Sequence, residues 1–117
     1  MSTKQIGALA EDYAEHYLHA CGYTIVARNW QASHTEIDLI CHSDTQADLL
    51  FVEVKSTKAG FDPLQHWHPN KQTSLTKAII KYLETVEDTD FRLDLITVDM
   101  DTTGACKSLD HWHNVLY

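Results

Sequence analysis

The stretch TEIDLICHSDTQADLLFVEVKS, residues 35–56, contains two apolar runs, EIDLICH and DLLFVEVKS, joined by the polar turn SDTQA. Both runs are short and rich in β-branched and aromatic residues, so they read as strands, and so short a link makes them antiparallel. Each nevertheless carries charge: Glu36 and Asp38 in the first, Glu53 and Lys55 in the second. Side chains alternate along a strand, which places Glu36, Asp38 and Ile40 on one face and Ile37, Leu39 and Cys41 on the other. In the second run Glu53 and Lys55 share a face with Leu49 and Phe51, and Leu50, Val52 and Val54 lie opposite. Pairing then brings Asp38 and Glu53 side by side in a mostly apolar sheet. Two such carboxylates repel unless one is protonated or a cation sits between them. A divalent ion with oxygen ligands resolves the conflict, and Mg²⁺, which takes one or two carboxylates plus water and phosphate oxygens, suits the set. Lys55 points into the same pocket, where it can hold a water or stabilise charge developing on phosphorus. The plainer alternative is a partly buried ion-pair network of Asp38, Glu53 and Lys55, with Glu36 facing solvent at a strand end.

Working outward, residues 3–21 place Ile6, Leu9, Ala10, Tyr13, Ala14, Tyr17, Leu18 and Cys21 at helical spacing, with Ser2 and Gln5 as a capping box and Gly22 as the stop. YTIVARNW follows as a first strand, completing a three-stranded meander with the two charged runs. Gly60, Pro63 and Pro69 make residues 57–69 a loop. Beyond Asn70, Leu75, Ala78, Ile79, Tyr82, Leu83 and Val86 form the apolar stripe of a second helix. FRLDLITVDM is a fourth strand. A right-handed crossover through the second helix sets it parallel to the third. After the turn DTTGACKS, LDHWHNVLY is a short strand or an irregular tail. The expected order is αβββαβ with a tail, an α/β fold with a mixed sheet flanked by helices, and residues 1–117 are expected to form one domain.

Nine Lys and Arg against seventeen Asp and Glu give a net charge of −8, a poor match to an anionic partner. The balance is uneven. Lys55, Lys58, Lys71, Lys77 and Lys81 face one acid, Asp62, so residues 55–81 carry +4 and the remainder −12. The N-terminal stretch lacks a secretion signal's basic and apolar regions, and no apolar run approaches the roughly 18 residues of a membrane span. A cytoplasmic protein without membrane contact is expected. Cys21, Cys41 and Cys106 are odd in number and form no CxxC pair, so no disulfide or zinc role is assigned to them.

An Asp followed after fourteen residues by Glu-x-Lys resembles the PD-(D/E)XK nuclease superfamily, whose core has the αβββαβ order. More closely, AEDYAEHYL, CGYTIVARNW, EIDLI, FVEVKS and FRLDLITV together resemble the YraN-like family, related to Holliday-junction resolvases, over roughly residues 4–99. The resemblance implies a metal-dependent endonuclease-like protein that hydrolyses DNA phosphodiesters, at branched structures among others. It implies Mg²⁺ (or Mn²⁺) held by Glu11, Asp38 and Glu53, with Asp38, Glu53 and Lys55 catalytic and Glu36 a supporting group or water ligand. Lys58, Lys71 and Lys77 would contact nucleic acid; Lys71 stands at a helix start and matches a family lysine. Junction-cutting relatives act as dimers, which raises a homodimer as an expectation. Two departures stand out: Thr35 replaces the family's usual Gly before EID, and Ser56-Thr57-Lys58 replaces its basic loop. The alternative is a non-catalytic member of the fold that binds nucleic acid or protein.

Two HWH stretches, His66–His68 and His111–His113, have the spacing of a metal chelate, but neither has a third ligand close in sequence. Trp67 and Trp112 are expected to serve as packing or stacking groups. Arg28 and Asn29 are expected to close the first strand, satisfying backbone groups or contacting DNA. Tyr13, Tyr17 and Tyr82 fall on apolar helix faces.

Overall fold

A computed structural model describes residues 1–57, 67 and 69–116. The elements are α1 (Thr3–Ala20), β1 (Tyr23–Ala32), β2 (Thr35–Ser43), β3 (Leu49–Thr57), α2 (Pro69–Leu83), β4 (Phe91–Met100) and β5 (Cys106–Trp112). The five strands form one sheet in the order β1-β2-β3-β4-β5. β1, β2 and β3 are antiparallel neighbours, β3 and β4 run parallel, and β5 returns antiparallel to β4. The expected αβββαβ order is therefore present, with the C-terminal segment forming an edge strand.

Local sequence sets the boundaries. The Ser2 hydroxyl accepts the Gln5 amide at 3.1 Å while Gln5 Oε1 accepts the Ser2 amide at 2.8 Å, so two N-terminal donors of α1 are satisfied reciprocally. Gly22, at φ 92, turns the chain out of the helix through a conformation that costs other residues energy. α2 begins at Pro69, where the absent N–H is no loss, rather than after Asn70. Its stripe ends with Leu83; Val86 lies beyond the helix and is exposed. β5 begins earlier than the sequence suggests, at Cys106. Asp101 Oδ1 accepts the amides of Thr103 and Ala105, at 2.8 and 3.0 Å, and closes the preceding turn tightly.

The sheet separates two cores. On one face Ala10, Ala14 and Leu18 of α1 pack on Leu39, Cys41, Leu50, Val52, Ile96 and Val98. On the other, Leu75, Ala78 and Ile79 of α2 pack on Ile37, Ile40, Phe51 and Leu93. The alternation in β3 matches the sequence reading. That in β2 does not: Ile37 joins Ile40 beneath α2, and Leu39 and Cys41 face α1. The neighbouring β1–β2 ladder shifts register once, between Ile25 and Ala27. Val26 is bulged out, and Asn29, between the pairs Arg28–Leu39 and Trp30–Ile37, adopts a left-handed φ of 55.

Candidate metal centre

The β2–β3 ladder extends only from His42–Leu49 to Leu39–Val52, whereas β3 stays paired to β4 as far as Thr57–Asp99, and β2 to β1 as far as Thr35–Ala32. β2 and β3 therefore part company after Leu39 and Val52. Asp38 and Glu53 are the first residues inside the fork. With no facing strand, the Val54 amide donates to Asp38 Oδ2 at 2.8 Å, so a side chain takes the place of the missing ladder bond.

Four carboxylates line the fork. One oxygen from each of Glu11, Glu36 and Asp38 lies within 4.8 Å of the others, a grouping able to hold a metal ion. Glu36, given only a supporting place by the sequence, thus belongs to this set, and Gln31 Nε2 donates to its Oε2 at 2.9 Å. Glu53, expected as a metal ligand, is 5% exposed and stands beside Asp38 but outside that three-carboxylate grouping. Its Oε1 pairs with Lys71 Nζ at 3.1 Å, and its Oε2 is buried without a hydrogen-bond partner. The charges strain one another. Burial, then the charge of Glu53, pushes the Asp38 carboxyl up to about 7, although the Val54 amide and Lys71 oppose the shift. Burial likewise raises Glu53, against the pull of Lys71, Asp38 and Lys55. Glu11 is raised by burial and by Asp38, with Arg28 pulling the other way.

Glu11 is aimed from α1 by Arg28. The guanidinium donates from Nε to Glu11 at 3.0 Å, from Nη1 to Asp12 at 2.6 Å and Glu15 at 3.1 Å, and from Nη2 to the Ala8 carbonyl at 2.9 Å. Arg28 and Asn29 lie within β1 rather than closing it, and every donor-bearing arm of Arg28 is engaged by α1. Nothing in residues 24–31 alone signals this, because the acids that hold Arg28 lie one element away.

The basic residues are distributed unevenly. Lys55 is exposed at the mouth of the fork, and Lys71, at the start of α2, reaches into it. Lys77 and Lys81 rim a cleft of about 440 Å³ between α2 and the β1–β2 turn at Ser33-His34. Lys58 and the His66 and His68 pair fall outside the described residues.

A second polar cluster lies on the α1 face. Asp94, fully buried in β4, accepts Arg92 Nε at 2.7 Å and Asn114 N at 2.8 Å on one oxygen, and Arg92 Nη2 at 2.9 Å and His111 Nε2 at 2.6 Å on the other. Burial works against its charge, but the bonds from His111, Arg92 and Asn114 prevail and hold it down at about 2. The sequence reading passed over it. The available signal was the one used for Asp38, charge within an apolar strand, here Arg92-x-Asp94 in FRLDLITV. The tyrosines reach beyond packing too: Tyr13 donates to the Gly104 carbonyl at 2.7 Å, and Tyr17 bonds His111 Nδ1 at 2.8 Å.

A model described as Uncharacterised protein family UPF0102 matches residues 10–98. A UPF0102 protein of Helicobacter hepaticus is 36% identical over 112 residues, covering 95% of this chain and 96% of the relative. Another, from Chloroflexus aurantiacus, is 35% identical over 94% of this chain and 89% of its own length. A third, from Bifidobacterium longum subsp. infantis, is 34% identical over 84% of this chain and 83% of its own. No described helix is long and apolar enough to cross a membrane.

Proposed function

The chain belongs to the UPF0102 (YraN) family, a PD-(D/E)XK nuclease-like group, and we propose from that premise that it is a metal-dependent endonuclease of the cytoplasm acting on DNA phosphodiesters, branched structures included. The observation that carries this reading is the buried, unpartnered Glu53 Oε2 beside an Asp38 that burial and like charge hold near pKa 7. Carboxylates crowded in this way fit a hard divalent cation, since each offers oxygen and the cation removes the repulsion. Glu11, Asp38 and Glu53 would hold Mg²⁺ or Mn²⁺, with Glu36 adding an oxygen directly or through water. Bound there, the ion would supply Lewis-acid charge and a more acidic water.

The chain's own groups do the rest. Val54 N–H and Arg28 orient Asp38 and Glu11, so the ligand set is fixed before substrate arrives. Lys55, exposed at the mouth, places an ammonium where a phosphoryl group would enter and stabilises charge growing on its oxygens. Lys77, six residues along α2 from Lys71, offers a further phosphate contact from the cleft at the β1–β2 turn. Cutting both arms of a junction requires two such sites, hence a homodimer.

One observation favours a second reading, a non-catalytic member that binds nucleic acid or protein. Lys71 already supplies a cation to Glu53 from within the chain, as a structural ion pair would. Titration calorimetry with Mg²⁺ and Mn²⁺, followed by cleavage assays on duplex, single-stranded and four-way-junction DNA, separates the two. On the nuclease reading Asp38→Asn and Glu53→Gln weaken metal binding and abolish cleavage, and Lys55→Ala abolishes cleavage while DNA affinity changes little. Absence of metal-stimulated cleavage on all three substrates, with metal binding unchanged in both carboxylate variants, selects the second reading.

A further inference from the structure

We propose that Asp94, His111 and His113 form a binding site for a divalent transition-metal ion, zinc fitting best, on the α1 face of the sheet and separate from the carboxylate fork. One ligand atom from each lies within 4.8 Å of the others. Both imidazoles converge on one oxygen, His111 Nε2 at 2.6 Å and His113 Nδ1 at 3.5 Å from Asp94 Oδ2. These separations bracket the edge of roughly 3.3 Å between neighbouring ligands of a tetrahedral ion with bonds of about 2.0 Å. The two rings stack with centroids 3.9 Å apart and planes 28° from parallel. The pairing of His111 with Ile96 turns its imidazole towards α1, and His113, just past the end of β5, brings the second imidazole against it.

The donor set selects the ion. Two imidazole nitrogens and one carboxylate oxygen are a zinc-type set, where the all-oxygen fork suits a harder cation. The surroundings of the ligands are already in place. Arg92 grips both oxygens of Asp94, the Asn114 amide donates to Oδ1, and Tyr17 Oη sits 2.8 Å from His111 Nδ1. Because the Asp94 carboxylate can only accept, Nε2 of His111 carries the proton in the metal-free protein. On metal binding that proton moves to Nδ1 and is donated to Tyr17 Oη, which frees the Nε2 lone pair for the ion. The site also has a way in: the His111 side chain is 7% exposed and that of His113 63%. Three protein ligands thus leave a fourth position facing solvent.

Zinc titration by calorimetry and the visible spectrum of the cobalt-loaded protein test the assignment on the full chain. Wild type should bind one zinc with 1:1 stoichiometry at this site. His113→Ala, a change at an exposed residue that leaves the fold intact by circular dichroism, should weaken it at least tenfold, and Tyr17→Phe roughly tenfold. The double variant Asp38→Asn with Glu53→Gln should keep the zinc, as should His66→Ala with His68→Ala. Cobalt should give visible bands of a low-symmetry site without thiolate charge transfer. Equal zinc affinity in wild type and His113→Ala, loss of zinc with the fork or the 66–68 pair, or a thiolate band would each overturn the site.

Discussion

Asp38 and Asp94 sit on neighbouring parts of one sheet, each withdrawn from water, yet they lie at opposite ends of the carboxyl range, one near 7 and the other near 2. Burial raises both. The difference is the supply of donors: Asp94 has four hydrogen bonds, two from a guanidinium and one from an imidazole, whereas Asp38 has one backbone amide and faces other carboxylates. In the metal-free protein one acid has its charge balanced by donors within the chain. The other is left short of positive charge, and a cation from solution can make up the shortfall.

The largest effect is expected from breaking the satisfied side. Asp94→Asn removes the charge that holds Arg92 and His111 and should cost about 3 kcal/mol in denaturant unfolding at pH 7. In wild type the folded value lies below the unfolded 3.8, so this stabilisation is complete above pH 4 and disappears as pH falls through about 2. An unfolding curve for the variant that superimposes on wild type would show that the four bonds contribute nothing net.

Relieving the unsatisfied side should have the opposite sign. The folded Asp38 holds its proton up to about 7 while the unfolded chain releases it near 3.8, so without metal stability falls as pH rises from about 4 to 7. Asp38→Asn keeps an acceptor for the Val54 amide, removes that slope, and should gain on the order of 2 kcal/mol at pH 8. Saturating Mg²⁺ should flatten the same slope in wild type, which thermal unfolding across pH with and without the ion would reveal.

Smaller changes sharpen the contrast. Arg28→Lys loses the fork geometry that aims Glu11 and should weaken Mg²⁺ binding about threefold to tenfold in calorimetry, with about 1 kcal/mol of stability. Lys77→Glu should alter stability by less than about 0.5 kcal/mol while lowering the salt slope of DNA binding by about one. An unchanged slope would remove Lys77 from the proposed contact.

Much of this architecture could be read from residue order. Periodicity placed both helices, the links of the meander fixed antiparallel pairing, and the crossover from Glu53-x-Lys55 through Leu75–Leu83 to FRLDLITV required parallel strands. Charge within apolar strands pointed to Asp38 and Glu53. The fork itself was not legible, because a ladder that stops at Leu39–Val52 is an absence of hydrogen bonds, and absence leaves no mark in a strand's composition. The left-handed Asn29 and bulged Val26 were hidden for a similar reason, since β1 reads as an ordinary strand. Partners distant in sequence were hidden too: Arg28 finds its acids on α1, and His111 finds Asp94 seventeen residues upstream.

The bond from the Val54 amide to Asp38 Oδ2 also makes the protein its own indicator. An N–H that donates to a carboxylate shifts its proton and nitrogen resonances when that carboxylate gains a proton or a metal. Val54 lies in β3, locked to Ile96 on its other side, so its resonance is insensitive to loop motion. Followed through a pH series, the Val54 cross-peak should titrate with the midpoint of Asp38 near 7, and the same peak should report ion occupancy of the fork without any label, substrate or activity.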